Sequence, residues 1–135
     1  MNYNLLMAAL CAWREARGEG SEGVRAVLWV LFNRSKAWGK SLAGVVVQRN
    51  QFTSMTIRGD SNTVLWPLDT DLIFTQVQQM AQAIQDGTDE HDPTSGALYY
   101  YNPAIATSDW FMQNIVGSPK WHPQTAVIGN HTFFK

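Results

Sequence analysis

Glu15 is the side chain in this sequence best placed for acid–base chemistry. It extends the series Leu5, Ala8, Ala12, Glu15, whose steps of three, four and three residues put all four on one helical stripe. An acid ending an apolar stripe loses hydration, which disfavours its charged form, and the partial negative charge of a helix C-terminus acts in the same sense. Glu15 is therefore expected to have a raised pKa and to be able to donate a proton near neutrality. Arg14 and Arg17 oppose this, but neighbours one and two positions away do not share a helical face, so desolvation is expected to prevail. From one helix alone, the pattern more readily describes a glutamate that reaches back to water or pairs with an arginine at the helix end. Glu19 is the candidate second carboxylate, because glycoside hydrolysis commonly pairs an acid with a base or nucleophile. Gly18 and Gly20 interrupt the helical spacing around it, and a glutamate just ahead of the next helix is favoured electrostatically in any case.

Other reactive side chains point to structure. Cys11, the one cysteine, sits in the apolar run from Leu5 to Trp13 and is read as core packing; no internal disulfide can form. His91, Asp92, His122 and His131 could ligate a metal, but no His-Glu-x-x-His spacing is present. Turn, cap or surface roles are expected for them, with no metal and no cofactor.

The elements that must position Glu15 follow from periodicity. Asn2 or Asn4 can cap a first helix that is apolar on nearly every side from Leu5 to Trp13, and Gly18 can supply the left-handed residue that stops it. Ser21 can cap a second helix carrying Val24, Val27, Leu28, Leu31 and Phe32 at three- and four-residue spacing. A short apolar segment, Leu42 to Val47, precedes a polar stretch from Gln48 to Asn62 that reads as a long surface loop. Pro67 and Asp69 introduce an amphipathic helix with Ile73, Val77, Met80, Ala81 and Ile84 on one face and Gly87 at its end. Ala97 to Tyr101 has strand composition, and Thr125–Ile128, Gly129-Asn130 and His131–Phe134 predict a hairpin with a two-residue turn. Helices first and a small antiparallel sheet toward the C-terminus give an α+β fold, mainly helical.

At 135 residues and 15.2 kDa the chain is expected to form one domain spanning 1–135. Hydrophobic residues at 45% and charged residues at 16% exclude disorder. A net charge of -1 and a pI near 6.3 supply no global field for nucleic acid, so none is expected as partner. Charge is uneven all the same: residues 1–60 hold eight Lys/Arg against four Asp/Glu, and residues 61–135 hold two against seven. The run from Leu5 to Trp13 superficially resembles a signal-peptide core, yet it lacks a positive leader and is too short to span a bilayer. A soluble monomer made in the cytoplasm without a signal peptide is the expectation.

Glu15-Ala16-Arg17-Gly18-Glu19 followed by a helix, Gln51-Phe52-Thr53, Asp92-Pro93-Thr94, Gly96-Ala97-Leu98-Tyr99-Tyr100-Tyr101-Asn102-Pro103, Ala106-Thr107-Ser108-x-Trp110 and Ile128-Gly129-Asn130-His131-x-Phe133 resemble, in this order, the SleB-type, spore-cortex-lytic cell-wall hydrolase family. The resemblance spans most of the chain. It implies a lysozyme-like fold, a peptidoglycan glycan strand as substrate, Glu15 as catalytic acid, and a lytic transglycosylase more often than a simple hydrolase. Thr53 stands where serine is usual and keeps a hydroxyl; the segment from Gln113 to Gln124 is longer than in typical members. With neither leader nor room for a wall-binding module, the chain fits a bacteriophage endolysin of this family. Such a protein is made in the host cytoplasm, acts on the cell wall in the periplasm, and relies on a separate membrane-permeabilising partner such as a holin.

A saccharide presents apolar ring faces and polar rims, so a groove of aromatic platforms and amides is expected. In a strand Tyr99 and Tyr101 project to one side and Tyr100 to the other. Tyr99 and Tyr101 are taken as the groove-facing pair, joined by Gln51, Phe52, Thr53 and Asn102 as substrate contacts. Trp121 is a sugar-stacking candidate, whereas Trp13 and Trp29 are read as core. A hydrolytic muramidase, a metal-dependent amidase cutting the peptide stem, and a non-catalytic glycan-binding protein of the same fold are the alternatives.

Overall fold

The computed structural model describes residues 2–48 and 51–135, excluding the side chain of Thr53. Helix α1 (Tyr3–Ala16) is capped by Asn2, whose side chain accepts from the Leu5 amide at 2.9 Å. It buries Leu5, Leu10, Cys11 and Trp13 in the main core, each large apolar side chain contributing about 1.5–3 kcal/mol. Helices α2 (Gly20–Trp38), α3 (Leu42–Val46) and α5 (Leu72–Asp86) pack around it, so α1 is central, as its nearly all-round apolar surface requires. Asp71, not Asp69, caps α5, and Gly87 ends it in the left-handed conformation. Val77, Ala81 and Ile84 are buried there; Ile73, the second residue of the helix, remains exposed.

The corner between α1 and α2 differs from expectation. Arg17, in right-handed conformation, closes α1, and Glu19 N donates to Ala16 O at 2.9 Å, tightening the chain without a left-handed Gly18. Gly20 adopts the positive φ instead, and α2 begins there, so Ser21 is already helical. The described part of the stretch 48–62, residues 48 and 51–62, is likewise not a plain loop: α4 (Thr53–Thr56) and a 3₁₀ turn (Ser61–Val64) lie in or across it, with Phe52 and Ser54 buried, and the loop expectation at 49 and 50 lies outside the described residues. A phenylalanine in a polar segment has anchored that segment to the core.

The sheet has strand order β1-β3-β2, with β1 (Tyr99–Tyr101), β2 (Gln124–Ile128) and β3 (His131–Phe134) antiparallel throughout. Tyr100 lies opposite Phe133, and a bulge separates Gln124 from Ala126. Gly129 takes φ 57 at the first turn position, as a two-residue hairpin of this hand requires. Between β1 and β2, α6 (Asp109–Phe111) continues into a wider π-type turn, Met112–Val116. That turn closes through Gly117 N on Met112 O at 2.8 Å; a Cβ on Gly117 would lie 2.9 Å from the same oxygen, so only glycine fits. Among the described residues, no helix is long and apolar enough to cross a membrane. The whole is α+β, mainly helical with a small antiparallel sheet.

Candidate active site

Glu15 lies on the last turn of α1 at the wall of a cavity of about 1060 Å³. Burial is the main influence on its carboxyl and raises its pKa; the Ser54 hydrogen bonds pull it back, and the negative charge of Asp60 pushes it up again. The Ser54 hydroxyl donates to Glu15 Oε1 at 2.6 Å. Neither adjacent arginine pairs with it. Arg14 is buried and directs Nε to Leu65 O and Nη1 to Ser54 O, both at 3.0 Å, while its Nη2 is buried without a hydrogen-bond partner among the described residues. Arg17 Nη2 donates to Asn62 Oδ1 at 3.1 Å, and its guanidinium lies 4.6 Å from the Trp13 ring centroid. The two arginines thus tie residues 54–65 down beside Glu15.

The cavity's far wall is delivered by α2. Asn33 Nδ2 donates to Ala97 O at 3.1 Å and Arg34 Nε to Leu98 O at 2.6 Å, fixing the chain immediately before β1. The Asp92-Pro93-Thr94 motif explains itself here. The Asp92 carboxylate accepts from Thr94 N, Thr94 Oγ1, Gly96 N and Asn33 Nδ2, forming a turn stapled to α2. The Arg34 guanidinium, in turn, is stacked against Trp38, Phe52 and Tyr99 at 5.1, 5.0 and 5.7 Å.

Glu15, Gln51, Phe52, Tyr99, Tyr101 and Asn102 all line this one cavity, while the side chain of Thr53 lies outside the described residues. Tyr100 packs into the core, as strand alternation predicts, and its ring also borders the cavity. It packs on His131 and Phe133, with ring centroids 5.0 and 5.7 Å away, and burial together with the charge of Glu15 keeps its phenol protonated well beyond the ordinary range.

Sequence reasoning missed Ser54, Arg34, Trp38 and Trp110. Signals existed for Arg34, a charge on the apolar stripe Val24, Val27, Leu31, and for Trp110, inside Ala106-Thr107-Ser108-x-Trp110, a segment lining the cavity from Ala106 to Ser108. Trp121 lies outside the cavity, exposed and stacked by Lys120. Glu19 also faces away. Its carboxylate accepts from the Asn130 amide and side chain at 3.4 Å and pins the α1–α2 corner to the hairpin turn. His122 Nδ1 lies 3.0 Å from Lys135 O, and among the described residues no three His, Cys, Asp or Glu side chains gather around a common point that could hold a metal ion.

A helical body, a small sheet and an acid recessed in an aromatic groove between them make up a lysozyme-like fold. The chain belongs to the cell wall hydrolase family, whose model matches residues 18–134. It is 33% identical over 135 residues to the spore cortex-lytic enzyme of Bacillus subtilis, the match covering 98% of this chain and 37% of that protein. The enzyme of the same name from Oceanobacillus iheyensis is 32% identical, with 98% and 41% covered. The chain therefore spans about two fifths of the length of these curated relatives. Among solved structures, the catalytic domain of the germination-specific lytic transglycosylase SleB from Bacillus anthracis superposes with a TM-score of 0.70 at 30% identity, covering 100% of this chain and 97% of that one. The catalytic domain of the Bacillus cereus SleB protein gives 0.69 at 29% identity, with 98% and 89% covered.

Proposed function

We propose that this chain cleaves peptidoglycan glycan strands between N-acetylmuramic acid and N-acetylglucosamine as a lytic transglycosylase, with Glu15 as its single catalytic acid and base. The observation that carries this reading is the position of Glu15: desolvated, its pKa raised, and opening into a cavity walled by tyrosines, tryptophans and amides. Protonated Glu15 donates to the glycosidic oxygen as the bond breaks through an oxocarbenium-like state. The resulting carboxylate then takes the proton of the muramoyl 6-hydroxyl, which closes on the anomeric carbon as a 1,6-anhydro ring without water. No second carboxylate lines the cavity among the described residues, which favours this intramolecular route over hydrolysis assisted by a second acidic group. Tyr99, Tyr100, Tyr101, Trp38 and Trp110 supply ring faces, and Gln51 and Asn102 supply amides for acetamido and hydroxyl groups.

The test is digestion of purified peptidoglycan with mass spectrometry of the soluble fragments. Anhydro-muramoyl ends are expected; hydrated reducing ends would identify a muramidase, and released stem peptides an amidase. Glu15→Gln is expected to lose roughly 10²- to 10⁴-fold in turnover, while a chelator leaves the wild type unaffected. Near-normal turnover by the variant removes Glu15 from the mechanism. The finer biological reading is a phage-type lysis protein, monomeric, made in the host cytoplasm and reaching the periplasmic wall through a separate holin-like partner. Lysis of cells expressing this chain alone would overturn that part.

A further inference from the structure

We propose that Ser54 is a positioning residue that decides which oxygen of Glu15 carries the transferable proton, an inference that rests on the reading of Glu15 as the acid. Ser54 is 2% exposed and is gripped at both ends by consecutive residues of one helical turn. Its carbonyl accepts from Arg14 Nη1 at 3.0 Å, and its hydroxyl donates to Glu15 Oε1 at 2.6 Å. Arg14 is itself anchored, on Leu65 O and with its guanidinium 5.0 Å from the Trp66 ring centroid. The hydroxyl is therefore held by backbone on one side and by the carboxyl on the other.

A neutral carboxyl has one oxygen bearing hydrogen and one bare, and a hydroxyl donor engages the bare one. Ser54 thus makes Oε1 the accepting oxygen and places the proton on Oε2. Both proton steps then run through Oε2. First the Oε2–H bond breaks as a hydrogen bonds to the glycosidic oxygen, which leaves with the electron pair of its bond to the anomeric carbon. Then Oε2 takes the proton of the 6-hydroxyl while that oxygen bonds to the anomeric carbon, and Glu15 ends neutral as it began. Between the steps the Ser54 bond is charge-assisted and stronger, so it opposes desolvation just when the carboxylate is charged.

The experiment follows the Glu15 carboxyl directly by carbon-13 NMR titration, its resonance assigned by loss in Glu15→Gln, alongside the pH–rate profile on purified peptidoglycan. In Ser54→Ala the titration midpoint and the alkaline limb are both expected to move to higher pH, with turnover near neutrality down roughly 10-fold from lost orientation. Ser54→Thr, which keeps the donor, is expected to return both toward wild type. An unmoved midpoint in Ser54→Ala overturns the proposal, as does a shift that Ser54→Thr fails to reverse, which assigns the effect to packing. Wild-type turnover by Glu15→Gln overturns the role of Glu15 in catalysis and leaves the titration readable on its own.

Discussion

Glu15 and Asp89 are both partly buried carboxyl groups held by hydrogen bonds, yet their surroundings drive them toward opposite protonation states. Asp89 receives Arg25 Nε and Nη2 at 2.7 Å each and Trp29 Nε1 at 3.2 Å. Its pKa falls to about 2, chiefly through the Arg25 hydrogen bonds. Glu15 receives a neutral hydroxyl in place of a guanidinium, and its neighbour Arg14 is committed to carbonyl oxygens. Two features separate them: Glu15 is the more deeply buried, so desolvation dominates and raises its pKa, whereas Asp89 is reached by a cation in a two-pronged geometry that dominates and lowers its pKa. The Asp89 clamp fastens the loop after α5 to α2 and belongs to stability. At the Glu15 end of α1 no arginine among the described residues pairs with the carboxyl, and burial shifts it toward the protonated form.

Breaking the clamp gives the largest stability effect. Asp89→Asn is expected to cost about 1–3 kcal/mol in urea unfolding at neutral pH, because it removes charged hydrogen bonds, while turnover per folded molecule is unchanged. The sign of its pH dependence follows from the depressed pKa. A carboxylate held below its ordinary 3.8 contributes stability above that value, which is lost as pH falls toward about 2. Wild type and Asp89→Asn should thus converge across that acid window. Equal stabilities at neutral pH would erase the contrast with Glu15.

Tryptophans sharpen the same division. Trp29 serves the clamp, whereas Trp110 lines the cavity and Trp121 does neither. Trp110→Ala is expected to raise KM roughly 3- to 10-fold, the worth of one aromatic contact of about 0.5–1.5 kcal/mol, with the melting temperature unchanged. Trp121→Ala should leave both alone. Exposure does not separate the two, since they are 62% and 73% exposed; position relative to Glu15 does. A KM effect from Trp121→Ala would extend the groove beyond the walls described here.

The helices and the hairpin were legible because each carries its own signal: three- and four-residue spacing in α2 and α5, and Gly129-Asn130 between apolar runs. Glu15 was legible because an acid on an apolar stripe contradicts the pattern around it. The partners of Glu15 were not. Ser54 reaches Oε1 only through the register of a four-residue helix pinned by buried Phe52 and by Arg14, which no local pattern in the sequence announces. Arg34 continues the α2 stripe Val24, Val27, Leu31 at the same steps of three, four and three that single out Glu15, so its burial was signalled but its role was not. Its burial depends on Trp38, Phe52 and Tyr99 arriving from three separate stretches of chain. Strand alternation sends Tyr100 to the core, where it packs; that the same ring also borders the cavity is set by tertiary packing that the alternation does not encode.

The smallest effect tests the other half of the comparison. A carboxyl whose pKa is raised by burial favours the protonated form in the folded state, so ionising it destabilises the fold. That cost is absent below the ordinary carboxylate range, grows as pH rises toward the folded pKa, and is complete above it. Glu15→Gln keeps an acceptor for the Ser54 hydroxyl and removes the charge. The variant is therefore expected to melt a few degrees higher than wild type at pH 8, on a scale where 1 kcal/mol is worth roughly 3–5 °C, and at the same temperature near pH 4. A gain in stability that accompanies loss of turnover is the signature of an acid kept for chemistry against the preference of the fold. A variant less stable than wild type at pH 8 would instead place Glu15 beside Asp89, as a carboxylate that holds the molecule together.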